Sequence, residues 1–295
     1  MRFVKMHGSG NDYVFVEQHW LPRRLDLARL AQAVSDRHFG VGSDGLVVLE
    51  ASSCADAKMR IWNVDGSEAE LCGNALLCTT KFLIERERVA NDTARIETRA
   101  GAHRGRGHLE DGKVMEAEVS LPGPRLLSDG VFAHPFVTEV VGLAVPATAL
   151  SLGNPHCVVF VDTLSRYPVE PVARALAGHP LFPDGANVEF VQPNADGTFA
   201  ARIVERGSGE TLACGSGACA VAVVSYLHGH GGAGTTIALR GGTVRVRWEG
   251  APPVTNRTDF ASSDAGTLWL RGPCTEVYEG RLTNVDSLLH RYEER

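Results

Sequence analysis

Two of the seven cysteines are each followed by a glycine and a small polar residue, as Cys72-Gly73-Asn74 and Cys214-Gly215-Ser216. They also share what precedes them. An arginine lies twelve residues before each (Arg60, Arg202), a polar side chain nine before (Asn63, Glu205) and a glutamate four before (Glu68, Glu210). Further back, Gly10-Asn11 runs into Tyr13-Val14-Phe15-Val16, and Gly153-Asn154 runs into Cys157-Val158-Val159-Phe160-Val161. Asn11 stands 61 residues before Cys72 and Asn154 stands 60 before Cys214. Landmarks of the same type, in the same order and at matching spacing, mark an internal repeat.

The chain turns helical after each Cys-Gly, so each cysteine is expected at a helix N-terminus. That position offers unpaired N–H groups and the positive end of the helix dipole. It lowers a thiol pKa below the free value of about 8.5 and makes thiolate available near neutral pH. The same N–H groups seat a carboxylate, and Gly73 and Gly215 let it approach the backbone closely. One such helix would supply a nucleophile or a redox thiol. Two, related by a pseudo-twofold, can place sulfur on both faces of one α-carbon. A thiolate then removes the proton, the opposite thiol returns one, and the centre inverts. The helix dipoles stabilise the enolate-like charge that develops on the carboxylate. Cys72 and Cys214 are therefore the expected catalytic pair.

The elements that must position them follow from local pattern. Val14–Val16 and Val158–Val161 are short β-rich runs after turn residues. Asp65-Gly66-Ser67 and Gly207-Ser208-Gly209 are turn chemistry. Ala218–Leu227 is apolar nearly all round, the pattern of a buried helix. Its counterpart, Ala75–Val89, starts apolar and ends in the charged Glu85-Arg86-Glu87-Arg88. Each half reads as a mainly β layer around one buried helix. The first half spans 1–120 and takes back the strand and tail from about 271 to 295; the second spans 121–270, beginning at a linker around Pro122-Gly123-Pro124. Gly229–Gly242 reads as a hairpin or loop feeding a strand over Thr243–Trp248, and Ala251–Gly266 as a long surface loop. The tail beyond Gly280 is polar and partly helical.

Composition narrows the class. A net charge of −6 argues against a nucleic-acid-binding surface. The longest apolar stretch, Ala218–Val224, is too short to span a bilayer, and Met1–Gly10 lacks the apolar core of a signal peptide, so a cytoplasmic location is expected. An odd number of cysteines in a chain of this length argues against a disulfide framework. Cys54, Cys78, Cys157, Cys219 and Cys274 read as small buried hydrophobes. Neither Cys72/Cys78 nor Cys214/Cys219 shares a helix face, so no metal chelate is expected. None of Lys5, Lys58, Lys81 and Lys113 has a counterpart in the repeat, and no phosphate-binding loop is present, which disfavours pyridoxal phosphate. His156, beside the second Gly-Asn turn, reads either as a packed histidine or as a pocket residue that tunes a thiol.

These residues resemble the diaminopimelate epimerase family. The likeness lies in Lys5-Met6-His7-Gly8-Ser9-Gly10-Asn11-Asp12, in Asp36-Arg37 with Gly40-Val41-Gly42-Ser43-Asp44-Gly45, and in Asn63-Val64-Asp65-Gly66-Ser67 with Cys72-Gly73-Asn74. It continues in Gly153-Asn154-Pro155-His156, in Gly185-Ala186-Asn187-Val188-Glu189-Phe190, and in Glu205-Arg206-Gly207-Ser208-Gly209-Glu210-Thr211 with Ala213-Cys214-Gly215-Ser216-Gly217. The resemblance implies an α+β fold of two pseudo-symmetric domains, each a β-barrel-like sheet around a central helix. It implies interconversion of LL- and meso-2,6-diaminopimelate without cofactor or metal, in lysine and peptidoglycan-precursor synthesis, by a homodimer. It places the reacting carboxylate on Gly73, Asn74, Gly215 and Ser216, and the distal end of the substrate on Asn11, Asn63, Asn154, Asn187, Glu205 and Arg206. Arg206 can clamp a carboxylate through two parallel hydrogen bonds, and Glu205 can accept from an ammonium. Asn63 aligns with Glu205, so the repeat has been specialised there. The chain departs from the usual Cys-Gly-Asn-Gly-x-Arg-Cys at Ala75 and Leu77. The alternatives are a proline or hydroxyproline racemase-like enzyme, which usually carries His where Asn74 stands, and a thiol redox protein.

Overall fold

The computed structural model describes residues 1–22, 24–125, 133–140, 142–251 and 265–293. The chain divides into two compact units, Met1–Val119 with Gly272–Arg295, and Ser120–Arg271. The fold is α+β, and each unit wraps a sheet around one helix.

In the first unit the elements run β1 (Arg2–Gly8), β2 (Asn11–Glu17), α1 (Leu27–Ser35), β3 (Gly45–Glu50), β4 (Ala57–Asn63), β5 (Glu68–Ala69), α2 (Gly73–Glu85), β6 (Thr93–Thr98), β7 (Gly101–Glu110) and β8 (Lys113–Pro122). β1 and β2 form a hairpin, β2 and β3 run parallel, β3 and β4 antiparallel, and β4 and β6 parallel. β6, β7 and β8 complete the run antiparallel. The chain's last strand, Thr267–Arg281, flanks β1 on its free side (Phe3 opposite Gly280) and also pairs with β8, which closes the ring. α2 fills it: every residue from Gly73 to Leu83 is buried. α1 covers the outside, its first turn held by Asp26, whose side chain accepts from the amides of Ala28 and Arg29. β2 therefore has both faces covered and reads as continuous apolar sequence. Phe15 stacks on Phe82 of α2, while Val14 and Val16 pack with Leu30, Ala31 and Val34 of α1.

The second unit repeats the plan with β9 (Ala133–Val140), β10 (Leu143–Ser151), β11 (Pro155–Phe160), α3 (Val169–Ala177), β12 (Asn187–Pro193), β13 (Phe199–Glu205), β14 (Gly209–Thr211), α4 (Gly215–Leu227), β15 (Gly234–Leu239), β16 (Gly242–Glu249) and the first residues of β17 (Thr267–Arg281). The parallel pairs recur at the same places, β11 with β12 and β13 with β15. α4 is buried from Gly217 to Ser225, and α3 covers the outside through Val172, Ala173 and Leu176. The Gly229–Gly242 segment yields the β15–β16 hairpin. The expected surface loop at 251–266 falls almost wholly outside the described residues. The tail forms α5 (Val285–Glu293), which sets Val285 into the core beside α1. No helix among the described residues is long and apolar enough to cross a membrane.

The matched Arg and Glu of the repeat are partners. Arg60 Nε and Nη2 meet Glu68 Oε1 and Oε2 at 2.7 and 3.0 Å, and Arg202 meets Glu210 in the same way at 2.7 and 2.8 Å. Each fork ties a long strand to the short strand that leads into the cysteine.

The two central helices also end alike, and the first ends earlier than its sequence suggests, at Glu85 rather than Val89. Arg88 N–H donates to Leu83 O at 2.9 Å and Glu87 N–H to Ile84 O at 3.0 Å; His230 and Gly229 repeat the pair on Ser225 and Tyr226. These are Schellman caps, which need a left-handed residue. Gly229 supplies it at φ +74°, but Glu87 must adopt φ +53° with a full side chain. Glu87→Gly is expected to raise unfolding stability by about 1 kcal/mol, read as a higher urea midpoint. An unchanged or lower midpoint would count against this account.

Candidate active site

In the first unit the fork between Arg60 and Glu68 delivers the chain to Cys72, the N-cap of α2, with extended backbone (φ −144°, ψ 118°). The side chain is half-buried, and Sγ lies 3.0 Å from Tyr13 Oη. Gly73 and Asn74, in the first turn, are buried. Asn11 opens β2; its Oδ1 is buried and has no hydrogen-bond partner among the described residues, and neither has Ser9 Oγ in the same hairpin. Buried acceptors of this kind are rare in native folds unless something donates to them. Asn63 lies at the exposed end of β4, opposite Gly45, and its Nδ2 donates to Ser67 Oγ at 3.0 Å.

An ionic cluster holds the hairpin. Arg37 Nη2 reaches both Asp12 Oδ1 and Asp44 Oδ1 at 2.8 Å, Lys5 is paired with Asp12, and the Asp12 N–H donates to Asp44 Oδ2 at 3.0 Å. Burial would push the Asp12 carboxyl up, but Arg37 and Lys5 outweigh it and hold it below the usual range. The cluster joins the β1–β2 hairpin to the segment before β3 and thereby fixes the strand start that carries Asn11.

In the second unit Cys214 is the N-cap of α4, and its Sγ lies 3.5 Å from both Ser216 Oγ and Gly217 N. The helix N-terminus was expected to lower this thiol's pKa. Instead, burial pushes it well above the ordinary thiol value, and the Glu205 carboxylate adds to the effect; Ser216 and Gly217 only partly offset it. With the residue 6 % exposed, loss of hydration is the largest cause.

Behind Cys214 runs a chain of side chains. Asn154 Nδ2 donates to Ser216 Oγ at 3.5 Å, Asn154 Oδ1 lies 3.1 Å from His156 Nε2, and His156 Nδ1 lies 2.7 Å from Glu189 Oε1. His156 and Glu189 are both fully buried. Glu189 is pressed against α4, since a Cβ on Gly217 would stand 3.1 Å from its Oε1 and 2.8 Å from Ile203. This is why the helix carries glycine there.

At the turn after β13 the second unit gathers the remaining residues. Thr211 Oγ1 donates to Glu205 Oε1 at 2.6 Å, Asn187 Oδ1 accepts from the Arg206 N–H at 2.9 Å, and Arg206 Nη1 donates to Asp184 O at 3.3 Å. The Arg206 side chain is exposed, while Asn187 is buried. Gly215 is buried in the first turn of α4.

Tyr13 and Glu189 were not singled out from sequence. Tyr13 lies on the strand after the first Gly-Asn turn, where the repeat aligns it with His156, and Glu189 lies on β12, the strand parallel to the one that carries His156. Cys54, expected in the core, is exposed beside Ser52 and Glu97, on the loop between β3 and β4, where no second layer covers it. The other four of its group are buried. Among the described residues no three His, Cys, Asp or Glu side chains converge as metal ligands do.

A family model described as diaminopimelate epimerase matches residues 3–121 and 148–261. A protein of that name from Methanococcus maripaludis strain C5 is 38 % identical over 290 residues, covering 96 % of this chain and 99 % of that one. Its namesake from Acetivibrio thermocellus is 39 % identical over 289 residues, covering 96 % and 98 %. Among solved structures, a PhzF-family phenazine biosynthesis protein from Bacillus anthracis aligns with a TM-score of 0.72 at 17 % identity, covering 96 % of this chain and 99 % of that one. A probable proline racemase from Agrobacterium radiobacter K84 aligns at 0.70 and 16 %, covering 96 % and 92 %. At these identities the likeness is one of fold.

Proposed function

The chain belongs to the diaminopimelate epimerase family, and from that premise we propose that it epimerises LL-2,6-diaminopimelate to the meso form by two-base proton transfer, without pyridoxal phosphate. The observation that carries the reading is the equivalence of Cys72 and Cys214. Each is the N-cap of a buried thirteen-residue helix, behind the same Arg–Glu fork, one in each unit. In the reaction one thiolate takes the α-proton, the electron pair passes into the carboxylate, and the other thiol gives its proton to the opposite face. Amides of Gly73, Asn74, Gly215 and Ser216 hold that carboxylate and stabilise the charge it gains. Buried Cys214 is the group that favours the thiol form.

The second amino-acid end of the substrate falls to Asn11, Asn63, Asn154, Asn187, Glu205 and Arg206. Asn11 has an idle buried acceptor for an ammonium, Glu205 has a second carboxylate oxygen beyond its Thr211 bond, and Arg206 presents an exposed guanidinium. Arg206→Ala should lower kcat/KM for diaminopimelate by about 10²-fold while changing α-proton exchange of a monocarboxylic amino acid far less; equal losses would remove Arg206 from this end. His156 acts behind Asn154 rather than on substrate. The reading extends to a cytoplasmic homodimer that feeds lysine and peptidoglycan-precursor synthesis; sedimentation of the purified protein checks the dimer. The deciding experiment is α-proton exchange of LL-diaminopimelate in heavy water, with a chelator and no pyridoxal phosphate. Deuterium at the α-carbon with inversion is the expected result, and its absence would overturn the assignment.

A further inference from the structure

The two cysteines have unequal neighbours. The repeat aligns Tyr13 with His156, each two residues past the asparagine of its Gly-Asn turn. The parallel pairing sets Tyr13 opposite Gly45 and His156 opposite Asn187, so Val47 stands where the second unit has Glu189. The second unit fills that pair of positions with a buried His–Glu contact that leads to Cys214 through Asn154 and Ser216. The first unit fills it with an apolar residue and a tyrosine whose hydroxyl touches Cys72 directly.

Tyr13 is 3 % exposed, and its ring stands edge-on to Phe15 with centroids 6.3 Å apart. The phenol has no freedom to turn away from the sulfur without leaving the core. Burial pushes its pKa well above the ordinary value, and Cys72 adds to that, so the oxygen keeps its proton. Once Cys72 is the thiolate its sulfur can only accept, so the hydroxyl is then the donor in the 3.0 Å contact with Sγ. A hydrogen bond to a charged acceptor is about twice as strong as one to a neutral acceptor, so this bond stabilises thiolate over thiol.

We propose that Tyr13 is a positioning residue for Cys72: its hydroxyl donates to Sγ, selects one orientation of the side chain at the helix N-terminus, and favours the thiolate. The inference rests on the reading of Cys72 as one of the two bases. It also makes the pair asymmetric, with a donor fixed on one sulfur while desolvation governs the other.

Several titratable groups stand around Cys72 and Tyr13. Tyr13 comes from β2, Cys78 lies further along α2, and Asp44 precedes β3 and faces Tyr13. Cys274 on β17 and Lys81 on α2 face Cys78. Burial holds Cys78 as the thiol and pushes Cys274 up to about 12. All of these remain when the Tyr13 oxygen alone is removed.

The test is Tyr13→Phe, read by alkylation of Cys72 with iodoacetamide across pH. Peptide mass spectrometry separates Cys72 from the exposed Cys54. The midpoint for Cys72 should rise by about one pH unit, with kcat at neutral pH falling about tenfold, KM within twofold, and part of kcat recovered at alkaline pH. An unchanged midpoint would overturn the proposal, since loss of packing alone does not titrate a thiol. Should the phenylalanine variant misfold, 3-fluorotyrosine placed at position 13 keeps the hydroxyl and makes it a stronger donor. It should lower the midpoint, and an unmoved or higher midpoint overturns the proposal. Alkylation needs no substrate, so this outcome is independent of whether diaminopimelate is turned over.

Discussion

Cys214→Ala lowers epimerisation of LL-diaminopimelate by about a thousandfold or more, the scale of a lost general acid–base group, and Cys72→Ala does the same. Both losses are expected because inversion needs a proton taken on one face and given on the other, and each unit supplies one sulfur. The fold should survive. Cys72 makes no capping bond through its side chain, and the cap at Cys214 is a long 3.5 Å contact from Gly217 N–H, so the lost cap costs each alanine at most about 1 kcal/mol. Circular dichroism and the urea midpoint check the fold, and turnover is read by exchange in heavy water. Near-wild-type turnover in either variant would end the two-base reading. An intact midpoint with lost turnover in both is what the geometry calls for.

The second large effect is on stability. Glu189→Ala should lower unfolding free energy by about 3–5 kcal/mol, the cost of leaving a buried partner unpaired, and Glu189→Gln by markedly less. Asn154 Nδ2 points to Ser216, so its Oδ1, which can only accept, faces His156 Nε2. Nε2 therefore carries hydrogen. Only one proton is then left for the 2.7 Å contact between Nδ1 and Glu189 Oε1. Burial pushes the Glu189 carboxyl above its usual range, against the pull of His156. Glutamine can still donate to Nδ1 and preserve the tautomer. Alanine leaves a void and a histidine free to reverse its ring, which releases Asn154. Urea unfolding of both variants measures the difference; a Glu189→Ala protein within 1 kcal/mol of the parent (on the same scale) would show that the pair does not hold the unit together.

Much of the architecture was legible because the repeat is written in residues that geometry requires. The matched offsets of Arg and Glu from the cysteines marked the repeat, though not that the two residues pair, and the second central helix showed in apolar sequence on every face. What misled was local. The charged run after Leu83 continues a helical pattern, yet the Schellman cap at Glu87 stops the helix at Glu85. A cysteine's burial depends on the layer above it, and Cys54 lies on a loop that has none. The expected low thiol pKa at Cys214 neglected desolvation, which a sequence does not display. Tyr13 and Glu189 stayed invisible because an aromatic and an acid within apolar strands carry no spacing signal. Their meaning appears only when parallel pairing sets Tyr13 against Gly45 and Glu189 beneath the first turn of α4.

Strand β17 belongs to both units in turn, and its later part lies along β1, with Gly280 opposite Phe3 and the Met1 ammonium on Leu282 O. On the ribosome, the second unit is therefore complete once residue 271 has emerged, whereas the first, though made earlier, keeps an open sheet edge until residues near 281 arrive. Phe3 must wait for Gly280, 277 residues further on, and so long a loop is of the slow kind to close. During that interval β1 exposes unpaired backbone on one side, which makes this early strand the part most in need of protection from association with other strands.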